Sequence, residues 1–405
     1  MMLSVEEARS RITATAELLA AEQVGLLDGF GRVLAEDLAA RRTQPPMAVS
    51  AMDGYAVRAA DVATVPVSLK VIGSAPAGSA HDGAVGPGEA VRIFTGAPVP
   101  AGADAIVIQE DTEADGDTVT VKETAALGHY VRPAGLDFRE GDTLLTEGRC
   151  LTARDIGLAA AMNRPWLMVR RRPRVAILAT GDEVVMPGDP VGPNQIVSSN
   201  GLALAATVRV FGGEPTLLGI APDDRDVLAR MAAGAEGADI LLTTGGASVG
   251  DHDLVQSVLG EGGLEVDFWR IAMRPGKPLM FGRMGGALMI GLPGNPVSTL
   301  VCALIFVKPA IDAMLGLASG TERPPIARLA EPLPENDRRQ DYLRATAEMD
   351  AHGALIVRAF RKQDSSMMAP LAHADCLIVR PPHAPAAAEG DPVEVVMIPH
   401  GPWRL

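Results

Sequence analysis

From about Pro173 to Leu315 the chain alternates short apolar runs with segments of helical spacing, and four of the apolar runs stop in loops of small or rigid residues. No other feature constrains the fold as strongly. Strands read at Arg174–Ala179, Glu214–Ile220, Asp239–Thr243, Val266–Ile271 and Ala287–Ile290 are interleaved with helices at Gly201–Phe211, Arg225–Ala233, Leu254–Leu259 and Val297–Leu315. Strands separated by helices cannot pair as tight hairpins, so this spacing predicts a doubly wound, mostly parallel α/β sheet with helices on both faces. Ligands of such sheets lie outside the carboxyl ends of the strands. The loops at those ends are therefore the first place to look for chemistry.

The 405 residues are too many for one core, since chains divide beyond ~250–300 residues. Residues 1 to about 40 read as helix, opened by a capping box at Ser4 and Glu7 and stopped by Pro45-Pro46. Residues 46–145 switch to β-type runs, among them Val65–Ile72, Ala90–Phe94, Ala105–Ile108 and Thr118–Val121. A helical stretch, Thr152–Asn163, and the basic linker Arg170-Arg171-Arg172-Pro173 follow. The first helix is too short to form a domain alone. It is expected to pack with the second stretch, so that 1–45 with 146–172 make a helical region carrying 46–145 as an inserted β-rich domain. Residues 173–322 form the α/β domain, and runs at Leu355–Phe360, Cys376–Val379 and Val393–Ile398 place a β-barrel-like domain over 323–405.

Charge and composition exclude several functions. Fifty acidic against 36 basic residues give a net charge of −14, which repels nucleic acid and anionic membranes. An anionic ligand would then need local cations or a metal. Cys150, Cys302 and Cys376 lack ligand spacing and read as reduced thiols of a cytoplasmic protein; there is no His/Cys cluster to imply zinc. The amino terminus lacks a secretion pattern, and the apolar run Val297–Val307 falls short of the ~20 residues of a membrane span.

The first strand-end loop is Thr180-Gly181-Asp182-Glu183, small residues followed by two acids able to hold a metal. The second runs from Thr243 to Asp253. Its Gly245 and Gly246 permit a nest of N–H donors, with Ser248, Asp251, His252 and Asp253 closing it. His252, a single histidine between acids, reads as a solvated loop residue. The third, Arg274-Pro275-Gly276-Lys277-Pro278, offers cations on a rigid turn suited to phosphate or another oxyanion. In the fourth, Gly291-Leu292-Pro293-Gly294-Asn295-Pro296-Val297-Ser298, prolines fix the backbone ahead of a helix N-terminus that favours negative charge.

Read together with Ser50-Ala51-Met52-Asp53-Gly54-Tyr55-Ala56, these loops resemble the MoeA family of molybdopterin molybdenumtransferases, related to the gephyrin E domain. The resemblance covers nearly the whole chain, through Arg92–Ala97, Ala101–Ala105, Val131–Phe138 and Gln195–Asn200. It implies a MogA-like, molybdopterin-binding α/β domain. It also implies an enzyme that ligates molybdate into the dithiolene of adenylylated molybdopterin in a Mg2+-dependent step releasing AMP. On this resemblance Glu183, Asp223 and Asp253 match acidic site positions and are the candidates for magnesium; which acid binds metal and which orients water or pterin stays open. Arg270, Arg274 and Lys277 would hold phosphate or molybdate, Gly245, Gly246 and Ser248 would meet the ligand, and Pro293, Pro296 and Ser298 would form its proline loop. Asp53, Thr95 and Asp137 match functional positions in the β-rich domain. The family's site forms across a homodimer, which brings them to a partner's α/β domain.

The chain departs from the family pattern at Pro45–Ser50, where an aromatic and a polar residue are more usual, and in carrying arginine at 270 and 274, where lysine is common. Two rivals stand beside this reading. A MogA-type molybdopterin adenylyltransferase shares the α/β domain and lacks the flanking β domains, and it is an expected protein partner alongside molybdoenzyme maturation proteins. A non-catalytic scaffold would keep the fold and lose the acids, all of which are retained.

Overall fold

The computed structural model of the chain describes residues 2–76, 78–245, 254–317 and 324–398. Its central sheet has six strands in the order Glu214–Ala221, Arg174–Thr180, Ile240–Thr244, Ala287–Leu292, Pro278–Met284, Leu264–Arg270. The first four are parallel, and the last two join antiparallel. The strand Arg174–Thr180 is buried at every position after the first because helices cover both faces. Val175 and Ile177 enter one core with Leu204, Val208 and Phe306, while Ala176 and Leu178 enter the other with Leu228, Ala232 and Val255. The strand Pro278–Met284 was not anticipated. Its proline reads as part of the preceding turn, and a strand paired on both sides tolerates proline at its first residue.

The amino-terminal expectation is corrected. Helix is confined to Val5–Thr15, capped by Ser4, whose Oγ accepts from the Glu7 amide at 3.1 Å. Beyond it Ala21–Gly25 pairs antiparallel with Trp166–Arg170, and Leu34 and Leu38 pack with Phe138, Leu145, Leu151 and Ala159. Glycines at 25, 29 and 31 weaken helix there, and the partner strand supplies the missing backbone bonds. The helix Val5–Thr15 does not join the helix Ala153–Ala161 either. Val5, Ala8 and Ile12 bury themselves in the α/β core with Phe306, Ile311 and Met314. Leu3 reinforces this, donating to the Arg270 carbonyl at 3.2 Å and accepting from the Ala272 amide at 2.8 Å.

The β-rich region folds as a six-stranded sheet in the order Ala105–Ile108, Gly54–Val57, Glu89–Ile93, Val67–Ala75, Thr118–Val121, Thr112–Asp115, with one apolar cluster on each face. At the carboxyl end, Gln340–Met349, Leu355–Ala359, Ile326–Leu329, Pro392–Met397 and Cys376–Arg380 close into a five-stranded barrel. Ala345, Val357, Cys376, Ile378 and Val395 fill its interior. Met273–Arg274 pairs in parallel with Gln340–Asp341 and so ties the barrel to the α/β domain.

The apolar run Val297–Val307 belongs to a longer helical segment than a short run suggests. Pro296–Leu315 is helical over 20 residues, with a π-helical turn at Ala303–Val307, and is long and apolar enough to cross a bilayer. Val297, Val301, Phe306 and Ile311 are buried within the α/β core, so its apolar character is spent on packing.

Candidate functional site

A cavity of about 780 Å³ opens at the carboxyl ends of the parallel strands. Three strand-end loops form its floor. Gly245, with φ of +90°, passes so close to the first strand that a β-carbon there would sit 2.5 Å from the Thr180 carbonyl oxygen; only glycine permits this approach. Asn200 donates from Nδ2 to Thr244 Oγ1 at 2.9 Å and to the Gly294 carbonyl at 2.7 Å. Thr299 Oγ1 donates to the carbonyls of Pro293 and Asn295, which fixes the proline loop above the helix that Pro296 opens.

Among the residues expected from sequence, Glu183, Gly245, Arg270, Lys277, Pro293, Pro296 and Ser298 line this cavity. Ser298 is buried at the first turn of its helix. Arg270 and Lys277 make no salt bridge among the described residues, so their charge remains available to a ligand. Gly246, Ser248 and Asp253, with His252, lie outside the described residues.

Arg274 does not line the cavity; its guanidinium pairs with Asp341 and, at 3.5 Å, with Asp337, both from the barrel. Asp341 is almost fully buried, and an arginine fork is the side chain that can reach it while keeping its stem packed.

Asp223 lies outside the cavity lining, beside the first loop, where its amide donates to Asp182 Oδ1 at 3.0 Å. Partial burial first, then the carboxylates of Asp182 and Glu183, push its carboxyl above the ordinary carboxylate value. Among the described residues no three His, Cys, Asp or Glu side chains converge as a metal-binding group. The case for a divalent cation is thus one of charge and donor chemistry: acids that repel one another beside a cavity, with hard oxygen donors of the kind magnesium prefers.

The β-rich domain carries a separate cluster. Asp53 Oδ1 accepts from both the amide and the hydroxyl of Thr95, each at 2.7 Å. The hydroxyl bond foremost, then the amide bond and the charge of Arg92, hold the Asp53 carboxyl below its ordinary value. Arg92 itself stacks between the rings of Tyr55 and Phe94, 5.0 Å from each centroid, and donates to the Gly54 carbonyl at 3.0 Å. Asp137 is exposed, anchored through its amide to the Gln44 carbonyl at 3.0 Å. None of Asp53, Thr95 and Asp137 lines the cavity of its own chain.

Asn200 and Thr244, read within their motifs but not singled out as site residues, also line the cavity, as do Ser366 and Met368, which sequence reasoning missed. Asn200 had a signal, an asparagine at the junction of a loop and a predicted helix. Ser366 and Met368 had none, because they arrive from the barrel. Buried Arg344 holds their loop by donating to the carbonyls of Lys362, Asp364 and Met367.

Comparison with known proteins assigns every part of this architecture. Residues 3–163 match the family model of the MoeA N-terminal region (domain I and II), residues 176–313 that of a probable molybdopterin binding domain, and residues 326–398 that of the MoeA C-terminal region (domain IV). A molybdopterin molybdenumtransferase of Nostoc sp. is 38% identical over 93% of this chain and 89% of its own length. One from Haemophilus influenzae is 32% identical over 98% and 99%. Among solved structures, a molybdopterin biosynthesis MoeA protein from Pyrococcus horikoshii superposes with a TM-score of 0.84 at 32% identity, covering 98% of this chain and 99% of its own. A molybdenum cofactor biosynthesis protein from Pyrococcus furiosus shares the fold at a TM-score of 0.61 and 20% identity, over 98% of this chain and all of its own.

Proposed function

The chain belongs to the MoeA family, and on that premise we propose that it is the molybdenumtransferase that inserts molybdate into the dithiolene of adenylylated molybdopterin, with magnesium-dependent hydrolysis of the phosphoanhydride and release of AMP. The observation that carries this reading is the pairing, on one cavity, of two cations without salt-bridge partners among the described residues, Arg270 and Lys277, with the acid Glu183. Molybdate is a dianion and the nucleotide carries a diphosphate. A chain of net charge −14 can admit both only through a local concentration of positive groups.

In this mechanism Lys277 and Arg270 bind the oxyanions, the first as a point charge and the second as a planar fork. The Ser298 hydroxyl, at a helix N-terminus, donates to an oxygen of the same group. The backbone at Gly245 and the rigid Pro293–Pro296 backbone set the ligand's height above the sheet. Glu183 and Asp223, with Asp253 beyond the described residues, would hold magnesium, which when bound supplies positive charge to the diphosphate and polarises it towards hydrolysis. One molybdate oxygen leaves as water as the two dithiolene sulfurs bind, taking the two protons that the thiols release.

Asp53, Thr95 and Asp137 do not reach this cavity within one chain, so the reading includes a homodimer in which they face the partner subunit's cavity. The test is direct. Purified protein given adenylylated molybdopterin, molybdate and magnesium will release AMP and yield a cofactor that activates an apo-molybdoenzyme. Adenylylation of free molybdopterin from ATP, with no insertion, would instead place the chain with the adenylyltransferases.

A further inference from the structure

Three loops from three different strands meet beneath the cavity, and one side chain that carries no charge binds two of them to the third. Asn200 opens the helix Asn200–Val210. Its Nδ2 donates to the hydroxyl of Thr244, the last residue of its strand, and to the carbonyl of Gly294 in the proline loop. The Gly294 carbonyl can only accept, so the amide is oriented unambiguously with nitrogen towards it, and both N–H bonds of the amide are used. Backbone pairing ends at Thr244 and Leu292, and beside the Asn200 bonds the Thr244 hydroxyl donates to the Pro293 carbonyl at a longer 3.5 Å. The two loops are in close contact there: a β-carbon on Gly294 would lie 3.7 Å from the Gly245 α-carbon.

We infer that Asn200 is a positioning residue for this site, holding the Thr244–Gly245 turn and the proline loop at the separation the anionic ligand requires. The inference rests on the molybdenum-insertion reading for its kinetic consequence, and on geometry alone for its structural one. Both bonds are made to the protein's own loops. Their effect passes through Gly245 and Gly294, whose backbones border the cavity. A misplacement of about 1 Å in such groups can cost ~100-fold in rate.

The experiment compares wild type with Asn200→Asp, which keeps the shape and removes both donors, and with Thr244→Val, which keeps the volume and removes the hydroxyl that accepts from Asn200 and donates to the Pro293 carbonyl. Amide hydrogen exchange is read at Thr244, Gly245, Gly294 and Asn295, with Val175–Ile177 in the central strand as the internal control. In Asn200→Asp both loops exchange at least about tenfold faster while the control is unchanged, and Thr244→Val loosens the Thr244–Gly245 turn. In AMP release, kcat falls about 10- to 100-fold while KM for adenylylated molybdopterin moves less than about threefold. The double variant loses less than the sum of the two single losses, because the changes share one bond, that from Asn200 to Thr244. Unchanged exchange in both loops overturns the inference whether or not the wild type turns over; so does a loss confined to KM. A wild type that releases no AMP overturns the proposed reaction and leaves the exchange result to decide the role of Asn200.

Discussion

Asp53 and Glu183 occupy opposite settings: the first accepts two bonds from Thr95 in the β-rich domain, the second borders the anion cavity with no cation paired to it among the described residues. Replacing either with alanine is expected to lower AMP release at least about tenfold while the thermal midpoint stays within a few degrees of wild type, because both side chains lie at the surface of their domains. Unchanged turnover in both variants would remove them from the site. A structural carboxylate gives the opposite pattern. Asp239 receives both Arg171 nitrogens at 2.7 and 2.6 Å and the Arg174 amide at 2.7 Å. Burial pushes its carboxyl up, and these bonds outweigh it, so the net displacement is downward. A depressed folded value means stability that is present above the unfolded value of about 3.9 and is lost as pH falls through the folded one. Asp239→Asn should therefore cost roughly 2 kcal/mol at pH 7, with the gap to wild type closing below about pH 4 in denaturant titrations.

At the scale of elements, the turn at Gly245 is the most exacting. Gly245→Ala places a methyl 2.5 Å from the Thr180 carbonyl in a left-handed conformation, and should destabilise by ~1–3 kcal/mol and abolish AMP release together. The helix Ala153–Ala161 is simpler: Thr152 accepts from the Asp155 amide while Asp155 accepts from Thr152, a complete capping box. Thr152→Ala should lower stability by about 1 kcal/mol without touching turnover, checked by urea unfolding beside the AMP assay. Elements with one dominant local signal were legible in sequence. Arg174–Thr180 is a continuous apolar run and Arg225–Ala233 has clean helical spacing, so the strand's expected end lay one residue away and the helix matched. Gln340–Met349 was not legible, because its ten residues mix acids, arginine and alanine, and only pairing with strands on both sides makes it a strand. Ala21–Gly25 failed for the same reason, since its partner lies some 140 residues away in sequence.

For the whole molecule, the separation of Asp53, Thr95 and Asp137 from the cavity makes assembly the decisive property. If the site is shared across a dimer, mixing inactive Asp53→Ala and Glu183→Ala proteins after subunit exchange should restore roughly a quarter of wild-type turnover, since half of the dimers are mixed and one of their two sites is intact. No recovery, with mixed dimers verified by mass, would confine the chemistry to one chain. The junction of barrel and α/β domain is held by Arg274 on Asp341 and Asp337 together with the short parallel pairing beside them. Arg274→Ala leaves buried Asp341 without its partner and should separate the barrel's unfolding from that of the α/β domain, read as a second transition in calorimetry.

By itself the sequence determined the alternating α/β domain, the loops at its strand ends and the family those loops belong to. All of these rest on contacts between residues close in the chain, where periodicity and turn chemistry act. Tertiary structure alone decided which residues share the cavity. It paired Arg274 with the barrel, brought Ser366 and Met368 to the cavity from a domain with no motif for it, sent the helix Val5–Thr15 into the α/β core, and made Asn200 a tie between loops. Each depends on a partner far away in sequence. Burial and hydrogen-bond satisfaction select such partners among surfaces that do not exist until the domains have folded and packed.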